Sequence, residues 1–328
     1  MTTPPTEWKK YQEYCMNSVL NKVVNINKPI GPTSFAMVQM VKRVLGIKKA
    51  GHIGTLDPLA EGVLPICLNR STRIVQYLSG QAKVYKAGMV LGESTDTQDS
   101  TGKVLESRDP KDVTEMAVRE VIESFIGPQE QVPPMFSAKK KKGIPLYKLA
   151  RNGITIDRNP VSIHIYSLQF IKMEGNRVEF EARCSPGTYI RTLCHDIGEM
   201  LGCGAHMDRL VRTQVGVFDL DSALTPDELA AANEDGSLPD KLFLQEEALN
   251  FLPEIRVKKN FVGSIANGLS IPKSSLETIP SQFHPGMDLR VSNGDNSLLA
   301  IVEPMVNECE FALLEPREIA FRLKRVLI

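Results

Sequence analysis

The chain of 328 residues has no apolar run approaching the roughly 18 residues that a membrane-spanning helix needs, which excludes a helical membrane protein. Its first residues, Met1 to Tyr14, are polar and mixed in charge, so they lack the basic-then-apolar pattern of a secretory signal. The six cysteines, Cys15, Cys67, Cys184, Cys194, Cys203 and Cys309, follow no framework spacing, and no Cys-x-x-Cys pair occurs. A disulfide scaffold is thereby excluded, and the thiols are expected to be reduced in a cytoplasmic protein. Cys194, His195, Cys203 and His206 lie close together, but their spacing fits no zinc finger, and core or helix-surface roles are expected. There is no excess of charge of either sign: 39 basic residues balance 39 acidic ones. A surface for nucleic acid must therefore arise from segregation of charge. No internal repeat is evident.

What is present is an ordinary core-forming composition, with 42% apolar residues, in a chain long enough for about two domains. Charge is segregated. Lys42, Arg43, Lys48, Lys49, Arg70 and Arg73 flank residues 51–63, and Lys139 to Lys142 form a basic block. Acidic residues gather at Asp227, Glu228, Glu234, Asp235, Asp240, Glu246 and Glu247. A solvated face explains any one basic cluster; together, near one loop, they suggest a phosphate track.

Residues 1–20 read as an extension carrying one short helix. Val23, Val24 and Ile26 begin a strand that breaks at Lys28-Pro29-Ile30-Gly31-Pro32. Thr33 or Ser34 can cap a helix whose apolar residues Phe35, Val38, Val41 and Leu45 recur at helical spacing, with Gly46 as the stop. Val63 to Leu68 and Tyr85 to Leu91 read as strands. Thr95 to Asp99 with Gly102 reads as a polar turn, with the oxygen-ligand spacing of a calcium loop incomplete. A helix is expected over 113–126 and another over Tyr189 to Leu201. Residues 161–171 and Val178, Phe180 and Ala182 alternate as half-buried antiparallel strands. Thr225-Pro226-Asp227-Glu228 starts a helix with proline in its first turn. From Ile255 short segments, Asp288 to Val291, Leu298 to Val302 and Phe311 to Leu314, are separated by Gly and Pro turns, which suggests a small β-rich unit.

The most informative stretch is Gly51-His52-Ile53-Gly54-Thr55-Leu56-Asp57-Pro58-Leu59-Ala60-Glu61-Gly62-Val63. Three glycines surround one carboxylate, and Pro58 pushes Asp57 toward an extended conformation. An isolated Asp-Pro is most simply a turn. The full stretch to Cys67, however, resembles the catalytic loop of the TruB family of tRNA pseudouridine synthases over seventeen nearly continuous residues. Four further stretches resemble that family in the same order. They are Asn27-Lys28-Pro29-Ile30-Gly31-Pro32-Thr33-Ser34, Lys83-Val84-Tyr85, Pro133 to Gly153, and Ser185-Pro186-Gly187-Thr188-Tyr189-Ile190-Arg191. The resemblance runs from about residue 23 to 220 and more weakly beyond. Phe136, Lys139, Lys141 and Pro186 depart from the family's usual residues without touching its acid, tyrosine or arginine.

The resemblance implies an α+β fold class: a pseudouridine-synthase fold with a mixed, largely antiparallel sheet and surrounding helices, plus a small C-terminal β-rich PUA-like domain. The expected divisions are an extension at 1–20, a catalytic domain at 21–224, a helical connection at 225–253 and an RNA-binding domain at 254–328. The implied reaction breaks the glycosidic bond of a uridine, turns the base and rejoins it through C5. No atoms are gained and no redox occurs, so neither cofactor nor metal is expected. Asp57 is the implied nucleophile, whether it attacks the sugar or abstracts a proton. Arg191 is the implied partner that lowers its pKa; the plain alternative for Arg191 is a helix-surface residue. Tyr85 is implied to stack on the base and transfer a proton, with core packing as its plain alternative. His52 is implied to lie near the flipped base, or else makes a local hydrogen bond. Lys28 and Arg151 are assigned to structure or RNA contact, and Tyr189 and Lys140 to the RNA-binding set. The expected partner is the T arm of tRNA, modified at position fifty-five, by a monomer with no membrane and no protein partner. Two other readings are an RNA-binding protein that helps tRNA fold, with catalysis secondary, and the homologous ribonucleoprotein-type rRNA enzyme; Leu59-Ala60-Glu61-Gly62-Val63-Leu64-Pro65 favours the stand-alone bacterial type.

Overall fold

The computed structural model describes residues 21–137, 139–141 and 143–328, with the backbone alone at Lys140; the extension expected over 1–20 and Lys142 lie outside the described residues. Strand β1 (Val23–Lys28) ends where Pro29 and Pro32 remove backbone donors. Thr33 then caps helix α1 (Ser34–Val44) by accepting from the Ala36 N–H at 3.1 Å. The helix buries Met37, Val38 and Val41, and Gly46 follows it at φ +62°.

The chain continues through β2 (Ala50–His52), β3 (Glu61–Leu68) and β4 (Lys83–Leu91), then α2 (Glu115–Ser124), β5 (Gly127–Gln131) and the short helix α3 (Leu146–Arg151). Two long strands, β6 (Val161–Glu174) and β7 (Arg177–Cys184), precede α4 (Ile190–Met200), β8 (Ala205–Val215) and α5 (Pro226–Asp235). The main sheet runs β1-β3-β8-β4-β7-β6-β5, with β2 and the short strand Phe218–Asp219 paired alongside. Every pairing along that order is antiparallel except β3 with β8. The alternation read over β6 and β7 is present: Ile163, Ile165, Val178, Phe180 and Ala182 face the core. Strand β3 lies between β1 and β8 and is buried along almost its whole length, which explains its unbroken apolar character.

The parallel junction places Gly62 of β3 opposite Arg212 of β8, and Arg212 opposite Tyr85 of β4, which in turn faces Ala182 of β7. Two large side chains thus lie side by side, flanked in the row by a glycine and an alanine. Gly62 sits at φ +103°, and a Cβ there would stand 2.3 Å from the Arg212 carbonyl oxygen.

The C-terminal unit is a six-stranded sheet. Its strands are β9 (Glu254–Val257), β10 (Ile271–Pro272), β11 (Leu276–Thr278), β12 (Leu289–Ser292), β13 (Leu298–Pro304) and β14 (Ile319–Val326), ordered β10-β14-β13-β12-β9-β11. Phe311 to Leu314 is not the strand-like segment expected from its apolar run: helix α6 (Glu308–Leu313) occupies most of it. Asn307 and Glu310 form a reciprocal capping box, and this local signal prevails over the short apolar run. Phe311 packs its edge against Phe283. The stretch 225–253 is packed rather than loose: Leu229, Ala232, Leu238 and Leu242 join the main core, while Ala248 and Leu249 join a second cluster with Val23, Ile53, Val63, Phe218, Leu298, Ile301 and Leu327.

Gly62→Ala is expected to destabilise the fold by at least about 2 kcal/mol, because the new methyl meets backbone that cannot retreat and the residue must hold a left-handed φ. The midpoint of urea denaturation measures it; a change within error would mean the β3–β8 junction is looser than its geometry indicates.

Candidate active site

The loop between β2 and β3 is held from below by residues that precede it in the chain. Ser34, at the start of α1, accepts from the Leu56 N–H at 2.8 Å and donates to the Leu56 carbonyl at 3.0 Å. Lys28, fully buried at the end of β1, donates to the carbonyls of Ala60 (2.6 Å) and Pro29 (2.9 Å). Gly31 N–H donates to the Pro58 carbonyl at 2.8 Å, and the Ala60 N–H to the Asp57 carbonyl at 3.0 Å. Of the two roles expected for Lys28, structure and RNA contact, its geometry is that of a strut under the loop. Burial pushes its ammonium down to about 8, partly offset by the Asp57 carboxylate.

Asp57 reaches out of this loop into a pocket of about 250 Å³, lined also by Tyr85, Lys83, Tyr189, Arg191, Leu210 and Arg212. Arg191, the second residue of α4, is buried, and its Nη2 lies 3.2 Å from Asp57 Oδ2. The expected pair is present, and Arg191 is not a helix-surface residue. The same Nη2 donates to the Phe136 carbonyl at 2.6 Å, tying the 133–153 segment to the site. Its Nη1 stands 3.4 Å from Asp99 Oδ2.

Asp99 is a site residue that sequence reasoning missed. The polar turn that contains it holds no calcium-like spacing; it orients a carboxylate inward. Asp99 Oδ1 accepts from Thr97 Oγ1 (2.8 Å), the Thr101 N–H (3.0 Å) and Thr101 Oγ1 (2.5 Å). The turn is pinned to β8 by backbone bonds with Met207 and to α4 by Thr192, which donates to Gln98 Oε1 at 2.7 Å. Flanking threonines around an aspartate are the available signal, but nothing local announces a partner 92 positions away.

The charge balance at Asp57 differs from the simple expectation. Burial raises its pKa above the ordinary 3.8, and the Asp99 carboxylate adds to that; Arg191 and Lys28 pull the other way without cancelling it. The expected lowering by Arg191 is one contribution, outweighed by desolvation. Tyr85 is buried, so its hydroxyl is also raised, with the Arg212 guanidinium opposing. Lys83 is buried and donates to the carbonyls of Ser79 (3.2 Å) and Gln81 (2.9 Å); burial and then Arg212 push it down to about 8.

Tyr189 caps α4, where Gln131 clamps its backbone from both sides (2.8 and 3.0 Å), and its ring lies at the pocket wall. His52, on β2, is half-buried outside the lining set; burial lowers its pKa, and its Nδ1 is unpartnered among the described residues. Arg151 is exposed on α3 with its guanidinium 5.5 Å from the Tyr147 ring centre, away from the pocket lining. Lys140 lies on the short strand Lys140–Lys141, its side chain outside the described residues. Cys194 and Cys203 belong to the main core. No group of three or more His, Cys, Asp or Glu residues among the described residues is arranged to hold a metal, and no helix there is long and apolar enough to cross a membrane.

A carboxyl held above its unfolded pKa favours folding in its protonated form. That contribution is present below about 4 and is lost as pH rises through the folded value. Asp57→Asn is therefore expected to melt no lower than the parent at pH 7, the difference closing below the ordinary carboxylate range. Arg191→Met leaves Asp99 buried without its cation and should lose about 3–5 kcal/mol. Calorimetry across pH measures both; destabilisation by Asp57→Asn at pH 7 would reverse the assigned balance.

Comparison with known proteins bears on this geometry. The family described as TruB family pseudouridylate synthase (N terminal domain) matches residues 42–190, and the tRNA pseudouridylate synthase B C-terminal domain matches 191–249. The tRNA pseudouridine synthase B of Syntrophotalea carbinolica is 43% identical over 251 residues, 76% of this chain and 81% of its own. That of Syntrophus aciditrophicus is 38% identical over 309 residues, 94% of this chain and 98% of its own. Among solved structures, a Cbf5-Nop10-Gar1 complex contains a chain that is 28% identical with a TM-score of 0.78, covering 96% of this chain and 87% of that one. A chain in the archaeal box H/ACA sRNP Nop10-Cbf5 complex gives 28% and 0.75, covering 99% and 89%. The fold class is thus that of the pseudouridine synthases with a small, β-rich, PUA-like C-terminal unit. An acid, a tyrosine and an arginine meeting in one pocket, on a chain matched by these two family domains across most of its catalytic half, identify it as a member of the TruB family of pseudouridylate synthases.

Proposed function

We propose that this protein isomerises uridine to pseudouridine in the T loop of tRNA, at position fifty-five of the tRNA, with Asp57 as the nucleophile. The observation that carries the reading is the Asp57–Arg191 contact of 3.2 Å in a pocket with room for one extruded base. Extrusion from a stacked loop costs a few kcal/mol. Stacking on Tyr85 returns about 1–3 kcal/mol of it. Asp57 then displaces the base, Arg191 keeps the carboxylate ionised as water leaves, and Tyr85 serves proton transfer at the rejoined carbon.

The RNA track follows the charge. Arg43, Lys48, Lys49, Arg70 and Arg73 are exposed around the loop with no ion-pair partner among the described residues. We assign them, with Arg151 and Lys140, to the phosphates of the T arm, and His52 to the space beside the flipped base. The C-terminal unit, residues 254–328, is assigned to the stem or acceptor end as a PUA-like domain, with 21–224 as the catalytic domain and 225–253 as the helical connection. The enzyme is read as a monomer acting in the cytoplasm.

An unmodified tRNA transcript incubated with the protein should gain pseudouridine at that one position. Asp57→Asn should bind the transcript and leave it unmodified; turnover by this variant removes the nucleophile assignment. Full growth rescue of a deletion strain by Asp57→Asn would instead favour the tRNA-folding role. In single turnover the acidic limb should lie above the ordinary carboxylate range. Arg191→Lys, which loses the fork that reaches Asp57 with one nitrogen and Asp99 with the other, should move that limb to higher pH.

A further inference from the structure

Arg212 is fully buried, yet no carboxylate lies in salt-bridge range of it among the described residues. Its Nε donates to the Val63 carbonyl at 2.7 Å and its Nη2 to the Gly54 carbonyl at 3.0 Å, while Nη1 has no partner. A desolvated cation without an anion is expensive, and such a group persists where something else uses it. Two observations say what that is. Arg212 lines the same pocket as Asp57, and it is the direct cross-strand partner of Tyr85 in the β8–β4 register, on the same face of the sheet. The small residues at both ends of that row, Gly62 and Ala182, leave the guanidinium and the phenol to face each other. Gly54 is held to the same purpose: a Cβ on it would stand 3.4 Å from Arg212 Nη1 and 3.2 Å from Lys83 Cε.

We propose that Arg212 is the positioning residue for Tyr85: it fixes the phenol beside the turned base and balances the negative charge on the phenolic oxygen when that oxygen takes the C5 proton. The inference rests on the reaction proposed above. Once the base has rejoined through C5, that carbon carries both C1′ and a hydrogen. The Tyr85 phenolate accepts the hydrogen as a proton, and the C5–H electron pair re-forms the C5–C6 double bond. N1 then gains one proton through solvent as Tyr85 releases one, so atoms and electrons balance and no oxidant or reductant enters. The other charged or titratable groups facing Tyr85 are Asp57 from the loop and Cys184 from β7, with Lys83 on its own strand near Arg212 and Cys184; of the nearby groups that oppose its burial, Arg212 is the one that favours the ionised phenol.

Arg212→Gln removes the cation and keeps a donor toward the Val63 carbonyl; Arg212→Lys keeps the cation and loses the fork. With a T-arm stem-loop RNA in single turnover, Arg212→Gln should be about 100-fold slower near neutral pH, the scale for losing one preorganised group at an atom where charge develops. Arg212→Lys should recover part of that loss. RNA affinity should stay unchanged in both. The Arg212→Gln deficit should shrink as pH rises, because without the cation the phenol ionises only at higher pH. RNA carrying 5-deuterouridine should show a larger isotope effect in Arg212→Gln than in the parent, and the variant should add little loss in a Tyr85→Phe background. A loss that is flat with pH, with an unchanged isotope effect and full additivity to Tyr85→Phe, overturns the proposal and leaves Arg212 as a brace for the loop. If Arg212→Gln fails to fold, the Arg212→Lys isotope effect and pH profile decide by the same signs. A parent protein that forms no pseudouridine would instead refute the reaction itself.

Discussion

One guanidinium organises the catalytic half of this molecule. Arg191 leaves the first turn of α4 and is held between Asp57, Asp99 and the Phe136 carbonyl, so that four chain segments remote in sequence converge on one planar group. Asp57 and Asp99 share that one cation in direct contact, while Lys83 and Arg212 line the same pocket without reaching either carboxylate. That is a poor arrangement for stability, since burial alone drives Asp57 toward its neutral form. It suits the attacking role proposed for Asp57, because a fully paired and well-solvated acid would be a weaker nucleophile. Asp99, satisfied by two threonine hydroxyls and a backbone N–H, absorbs the positional demand so that the Asp57 carboxylate remains available at the pocket.

Much of the fold is written locally. The Thr33 and Thr225 caps, the proline break after β1, and the two-residue alternation of β6 and β7 are short-range signals, and each element lies where its signal places it. The helix at Glu308–Leu313 departs from its strand-like reading because its capping box lies in side chains that apolar patterning ignores. The acid, tyrosine and arginine were legible only through resemblance to a family motif, for no periodicity relates residues 57, 85 and 191. Asp99 was legible only as part of a polar turn, and Arg212 not at all. The function of each is defined by a partner across the sheet or across the pocket, and a single sequence carries no record of register between strands β8 and β4.

Register is also what makes the pocket specific. The single parallel junction in the main sheet fixes Gly62 against Arg212, and the antiparallel pairing beyond it fixes Arg212 against Tyr85. A slip of one residue in either pairing would turn the guanidinium or the phenol to the opposite face. That same guanidinium donates to the Gly54 carbonyl in the loop that carries Asp57 and to the Val63 carbonyl on β3, so acid and phenol are referenced to one scaffold.

The apolar cluster shared by Leu298, Ile301 and Leu327 with Ile53 and Val63 has a further meaning. Ile53 is the residue between His52 and Gly54, at the root of the acid's loop, and it is sealed by side chains from the last quarter of the chain. The terminal sheet is therefore a buttress as well as an appendage: cutting it away would strip the floor from beneath the reactive loop. The spacing between that far sheet and the Asp57 loop is thus fixed, as between the jaws of a caliper, by packed side chains rather than by a tether's length.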